Sequence, residues 1–221
     1  MFFSIKSKVT ILMFLLSMVK IINATTSYSF EPLRNHNKIE VILSKGEFFG
    51  EGQVKGFFGN VIGEINFSMD KPSITDGTVL IDAKSLYFGY HKVDGDAKKG
   101  TWLDVGEFPK IVFKLNNLEN IQWSNDIVKA DARGTLSLKN LSRQISFPVI
   151  MKHVRSMRKK FDGKPGDLLF LKGEFQISRG FLGINPGKML NIIKDSIQIK
   201  ISLVGCTHDK APLLPSKLFL R

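Results

Sequence analysis

Between Val128 and Lys152 the chain reads VKADARGTLSLKNLSRQISFPVIMK, alternating apolar and polar residues on both sides of a short turn. Val128, Ala130, Ala132, Leu136 and Leu138 share one side, and Ile145, Phe147, Val149 and Met151 follow in the same rhythm. Successive side chains of a strand point to opposite faces, so this stretch is a hairpin with one apolar face and one wet face. The apolar face must be covered by helices or by other strands.

The rest of the chain supplies strands. Ile39, Val41 and Leu43 alternate in KIEVILS, Val79, Ile81 and Ala83 in TVLIDAKS, and Ile111, Phe113 and Leu115 in KIVFKLNN. Later, Leu169, Leu171, Phe175 and Ile177 alternate in LLFLKGEFQIS, and Ile197, Ile199, Ile201 and Leu203 in SIQIKISLV. Turn-forming runs separate them: TDG before Thr78, WSND after Ile121, KNLS at Lys139 and FDGKPGD at Phe161. Only a short piece around Asp94 to Val105 is a helical candidate. The expected fold class is therefore all-β, with a short helical segment. Between Gly46 and Gly63 six glycines interrupt the alternation, as expected where strands bend or backbones approach closely. Without covering helices, the strands must cover one another, in a sandwich or a closed barrel. A barrel of about eight strands either fills itself with side chains or holds one small ligand.

At the N-terminus, Lys6 and Lys8 precede an apolar run from Val9 to Val19, and KIINATT follows. This is the layout of a secretory signal peptide, residues 1–24, cut after Ala24, with an uncleaved membrane anchor as the alternative because Ile22 breaks the small-residue pattern before the cut. Eleven residues fall short of the roughly 20 needed to span a bilayer. The mature chain is therefore expected to be exported. The formal net charge is +12, about +9 once Lys6, Lys8 and Lys20 are set aside, so the mature chain stays basic. Cys206 is the single cysteine and excludes an internal disulfide.

Catalytic patterns are absent from the sequence. His36, His91, His153 and His208 are scattered without metal-ligand spacing, VDGDAKKG lacks the later ligands of a calcium loop, and no serine sits in a G-x-S-x-G elbow. No catalytic residue, metal or cofactor is expected, and no enzyme. The run MKHVRSMRKKFDGKPG gathers Lys152, Arg155, Arg158, Lys159, Lys160 and Lys164 against Asp162 alone. It is a candidate contact for a membrane surface or an acidic partner. Nucleic acid is not expected, since only Phe161 offers an aromatic platform among these charges.

Several motifs, in order, resemble the YceI-like family of lipid-binding proteins. WLDVGEFPKIVFK matches the family's D-V, aromatic-proline and strand pattern at Asp104, Phe108, Pro109 and Phe113. GTLSLKNLSRQISFPV matches its hairpin at Gly134, Leu136, Leu138, Arg143 and Val149, and ISRGFLGI matches its late R-x-x-F-G at Arg179 and Gly183. The family's arginine-aspartate-x-histidine-leucine stretch reads VDGDAKK here and keeps only Asp94. Leu182 replaces a phenylalanine, and Asn140 the hairpin glycine. The resemblance runs from about Lys38 to Val204. It implies a lipocalin-like antiparallel β-barrel, residues 25–205 with a tail at 206–221, exported to the periplasm and holding a long-chain isoprenoid, of quinone or polyprenyl type, without catalysis. The expected ligand-binding set is Val79, Ile81, Phe113, Leu136, Leu138, Phe147, Phe175, Ile177, Ile199 and Ile201, with Asp94 and Arg179 as headgroup contacts. The same side chains would equally fill a core. Rival readings are a filled-barrel interaction protein that displays its basic loop, and an accessory to a membrane quinone-redox protein.

Overall fold

The computed structural model describes residues 25–207. The expected signal peptide and the tail from residue 208 onward lie outside the described residues. Eleven strand segments form one antiparallel sheet: β1 (Thr26–Ser29), β2 (Lys38–Lys45), β3 (Gln53–Phe58), β4 (Val61–Phe67), β5 (Asp76–Asp82), β6 (Leu86–Tyr87), β7 (Lys110–Ser124), β8 (Ile127–Leu138), β9 (Leu141–Val154), β10 (Leu168–Ser178) and β11 (Ile193–Thr207). An eight-residue helix, α1 (His91–Lys98), follows β6.

Eleven segments make eight staves. β1 pairs with β4 while β2 pairs with β3, and β5 pairs with β4 while β6 pairs with β3. Hence β1–β2, β3–β4 and β5–β6 are three neighbouring strands, each interrupted once, at the same level of the wall. The interruptions are Glu31–His36, Gly59–Asn60 and Ala83–Ser85, and they are stitched together. Asp82 N donates to Asn60 O at 3.0 Å, and Asn60 N donates to Ser85 Oγ at 3.2 Å. Buried Asn37 spans the first break, donating to Phe30 O at 2.9 Å and accepting from Val204 N at 2.7 Å. The remaining staves, β7 to β11, form a meander of antiparallel neighbours. β11 then returns to the start, pairing with β2 along Ile197–Ser202 and with β1 through Cys206 and Thr207. The barrel is closed and has no free edge.

Alternation did its expected work: Ile39, Val41, Leu43, Val79, Ile81, Ile111, Leu115, Val128, Ala130, Ala132, Phe147, Val149 and Met151 all face inward and are buried together. The glycine-rich stretch is the bent β3–β4 stave. At Gly63, φ is +141°, and a Cβ would lie 2.1 Å from Thr78 O, so no other residue allows β4 this close to β5. Three local expectations change. TDG is not a turn, because Asp76 and Gly77 already pair with Asn66 and Ile65 in β5. The helix starts at His91, earlier than Asp94, and ends at Lys98. Cys206 and Thr207 belong to the barrel rather than to the tail, since they seal it against Ser29 and Tyr28. The Cys206 thiol is fully buried on the outer side of β11 with Leu33, Leu168 and Val204.

Candidate functional site

The barrel is not filled. A cavity of about 800 Å³ runs through it, within the roughly 300–1,000 Å³ of small-molecule sites. Val79, Ile81, Phe113, Leu136, Leu138, Phe147, Phe175, Ile177, Ile199 and Ile201 all line it, brought together from β5, β7, β8, β9, β10 and β11. One wall is aromatic. The Phe147 and Phe175 rings stack at 4.4 Å between centroids, and Phe113 meets Phe147 at 5.3 Å across the intervening β8. Gly134 makes this possible, because a Cβ there would lie 2.7 Å from the Phe113 ring.

Each end of the cavity has its own chemistry. Opposite the helix, Tyr28, Phe67 and His153 plug the barrel. The Tyr28 ring meets Phe67 edge-on at 6.5 Å and His153 at 6.0 Å. His153 Nε2 sits 3.2 Å from Asp167 Oδ2. Burial, with the nearby Asp167 carboxylate, pushes the Tyr28 hydroxyl up to about 12. At the other end α1 lies over the opening. Lys92, Val93, Asp96 and Ala97 recur at helical spacing, so one face of the helix turns to the cavity. The polar lining residues, Lys45, Lys92, Asp96, Lys99 and Thr101, lie at this mouth. Asp96 and Lys99 form an exposed pair at 2.7 Å. Lys139, in the β8–β9 turn, donates to Gly100 O and Trp102 O at 3.0 and 3.1 Å, which ties the segment after α1 to the barrel.

The charged candidates have other duties. Arg179 does not line the cavity. It is fully buried, and every guanidinium N–H donates to a main-chain carbonyl: Nε to Lys194, Nη1 to Ile184 and Asn185, Nη2 to Lys188 and Ile193. Trp102 covers the group, its ring centroid 5.5 Å from Cζ. Burial lowers the Arg179 pKa from its ordinary value, and the Asp195 carboxylate opposes the shift. Arg179 fixes the β10–β11 loop and has no donor left over for a headgroup. Asp94 also lies off the cavity lining, and its Oδ1 accepts from Phe88 N at 2.5 Å to hold the entry to α1.

The basic run separates into two kinds of residue. Arg158 is buried, paired with Asp162 at 2.9 Å and donating to Thr207 O, so it anchors the β9–β10 connection and is not a surface contact. Lys152, Arg155, Lys159, Lys160 and Lys164 are exposed. They sit at the end of β9 and in the β9–β10 connection, the plugged end of the barrel, away from the mouth formed by the β2–β3, β8–β9 and β10–β11 connections.

Several lining residues carried no readable signal. Leu86 and Phe88 enter from β6 and the link to α1, Trp102 and Leu103 from the segment between α1 and β7, and Val54, Phe58 and Ile65 from the glycine-rich stave. Gly56 could have hinted at Phe88, whose ring occupies the space where a Cβ would be, 2.5 Å away. Among the described residues no three His, Cys, Asp or Glu side chains gather to hold a metal, and no helix is long and apolar enough to cross a membrane.

The YceI-like domain profile matches residues 28–205, which takes in almost all of this closed eight-stave barrel. The chain belongs to the YceI-like family. No curated protein matches the sequence. Among solved structures, the YceI-like barrel of this chain is similar to Burkholderia cenocepacia BcnA, at 18% identity and a TM-score of 0.61, over 76% of this chain and 95% of that one. It is also similar to a Campylobacter jejuni YceI protein, at 17% identity and a TM-score of 0.60, over 70% of this chain and 85% of that one. A polyisoprenoid-binding domain from Saccharophagus degradans, implicated in plant cell wall breakdown, aligns at 11% identity and a TM-score of 0.59, over 83% of this chain and 99% of the domain. At these identities the shared property is the fold.

Proposed function

We propose that this YceI-like protein is an exported, non-enzymatic carrier or store that holds a long-chain isoprenoid lipid, of quinone or polyprenyl type, in its barrel lumen. The observation that carries the reading is the roughly 800 Å³ cavity, apolar along its length and polar only at the mouth. Such a lumen offers no interior partner for a polar ligand, whereas each methylene brought in from water contributes about 0.8 kcal/mol. Shape and apolar area suffice for affinity, and a headgroup would rest among Lys45, Lys92 and Thr101 at the opening. The polyisoprenoid-binding domain that shares the fold is consistent with this class of ligand. The basic start and apolar run of residues 1–24 support export, and the family resemblance suggests the periplasm as its destination.

The test is native mass spectrometry of the protein purified from its own host, followed by organic extraction of what dissociates. A stoichiometric isoprenoid is the expected outcome. A protein that leaves the host empty, and that also takes up no isoprenoid presented in detergent micelles, rejects the reading in favour of a barrel that serves only as a display surface.

A further inference from the structure

Exposed apolar side chains crowd the mouth of the cavity. Phe48, in the β2–β3 connection, is 74% exposed, Tyr90 before α1 is 65% exposed, and Met189 and Leu190 of the β10–β11 loop are 43% and 44% exposed. The two loops are held together: Gly46 N donates to Ile192 O at 2.8 Å and Phe48 N to Asn191 O at 2.9 Å. The Arg179 bonds to the carbonyls of Lys188 and Ile193 fix the second loop from beneath. Lysines stand among these side chains. Lys45 and Lys92 line the mouth, and Lys188 precedes Met189. Acids at this end are Glu47 and Glu51 in the β2–β3 connection, Asp94 and Asp96 on α1, and Asp104 and Glu107 after it; Asp96 is paired with Lys99 and Asp94 with Phe88 N, while the β10–β11 loop from Gly180 to Ile192 carries none.

We propose that this rim docks on an anionic lipid bilayer, with Phe48, Met189 and Leu190 entering the headgroup boundary and the lysines resting on lipid phosphates. Separate apolar tips with basic residues between them suit an interface of headgroups and acyl chains. Met189 gives the decisive continuity, since it is exposed on the rim and also lines the cavity. A lipid tail passing over it would leave the bilayer and enter the lumen without crossing water. The exposed basic cluster of Arg155, Lys159, Lys160 and Lys164 lies at the plugged end, so docking there would turn the mouth away from the lipid. The inference takes its purpose from the lipid-carrier reading, but its geometry stands apart from that reading and is tested separately.

An environment-sensitive fluorophore is attached to the full chain through Leu190→Cys, or at the opposite end through Lys160→Cys; the native Cys206 is buried and does not compete for the label. Vesicles of equal parts phosphatidylcholine and phosphatidylglycerol are then added. The expected result is a blue shift from the rim probe alone. A shift from the far probe alone, from both or from neither overturns the proposal, and a rim shift that appears without vesicles, as protein concentration rises, assigns the rim to a second copy of the chain. In a second measurement, Phe48→Ser combined with Leu190→Ser slows uptake of a long-chain ubiquinone from vesicles by about tenfold, because apolar area is lost from the interface. Uptake of the same quinone from detergent micelles is unchanged. Equal slowing from both sources counts against docking. No uptake from micelles by the unaltered protein rejects the carrier reading while leaving the fluorophore result to decide the docking.

Discussion

Tyr28 shows how one side chain at the plugged end shapes the stability of the barrel. Its hydroxyl is pushed up to about 12 by burial first and by Asp167 second, whereas a tyrosine in the unfolded chain ionises near 10. The folded state therefore binds a proton that the unfolded state gives up between these values. The stability linked to Tyr28 is intact below about pH 10 and is lost as pH rises toward 12. Urea unfolding of the protein and of Tyr28→Phe over this range is expected to show a steeper decline for the unaltered chain, and equal declines would exclude the linkage. Residue roles of this kind were only partly legible in the sequence. The ten apolar lining residues could be named because alternation alone decides which face a side chain takes. Arg158 and Arg179 are buried rather than at the surface, and Asp94 holds the entry to α1; a linear pattern cannot show which backbone groups or carboxylates the fold will bring around a charge. Each of them serves the backbone instead.

Among the elements, the β10–β11 loop depends most heavily on one residue. A lysine at 179 keeps the charge but has three donors where arginine has five, and it lacks the planar fork that reaches several carbonyls at once. Arg179→Lys is expected to leave buried carbonyls unpaired and to lower the unfolding free energy by about 2–4 kcal/mol. Hydrogen exchange should localise the loosening to residues 180–193, and a uniform change or none would show that the loop holds itself. Long strands were the legible elements: β7, β8, β9, β10 and β11 all follow the two-residue period over many positions. β1, with only TSYS to show, is too short for a period to register, and β6 has two residues. β3 and β4 were hidden because the glycines that let the stave bend also erase its alternation. The helix was placed a few residues late, since the cavity-facing residues of α1 include Lys92 and Asp96, which no apolar pattern marks.

At the scale of the whole molecule, the question left open by periodicity was whether the barrel is packed or hollow, and the cavity answers it. Both forms of barrel alternate alike, and neither the strand count nor the composition separates them. Ala132, buried on β8 and lining the cavity, offers a direct check. In a packed core, a large replacement costs about 1–3 kcal/mol of overpacking. Ala132→Trp is expected instead to leave the denaturation midpoint nearly unchanged while abolishing uptake of ubiquinone from micelles. A strongly destabilised but still lipid-competent variant would contradict a hollow interior. The seam where β11 meets β1 and β2 has a consequence for how the protein matures. Its partners, such as Tyr28 with Thr207 and Ile39 with Ile201, come from opposite ends of the sequence, so sealing it requires loop closure over almost the whole domain. Until then the nascent sheet has two open edges and no lumen. The lumen can be occupied only after synthesis of the last strand is finished, which makes any filling of it a step separate in time from the making of the chain.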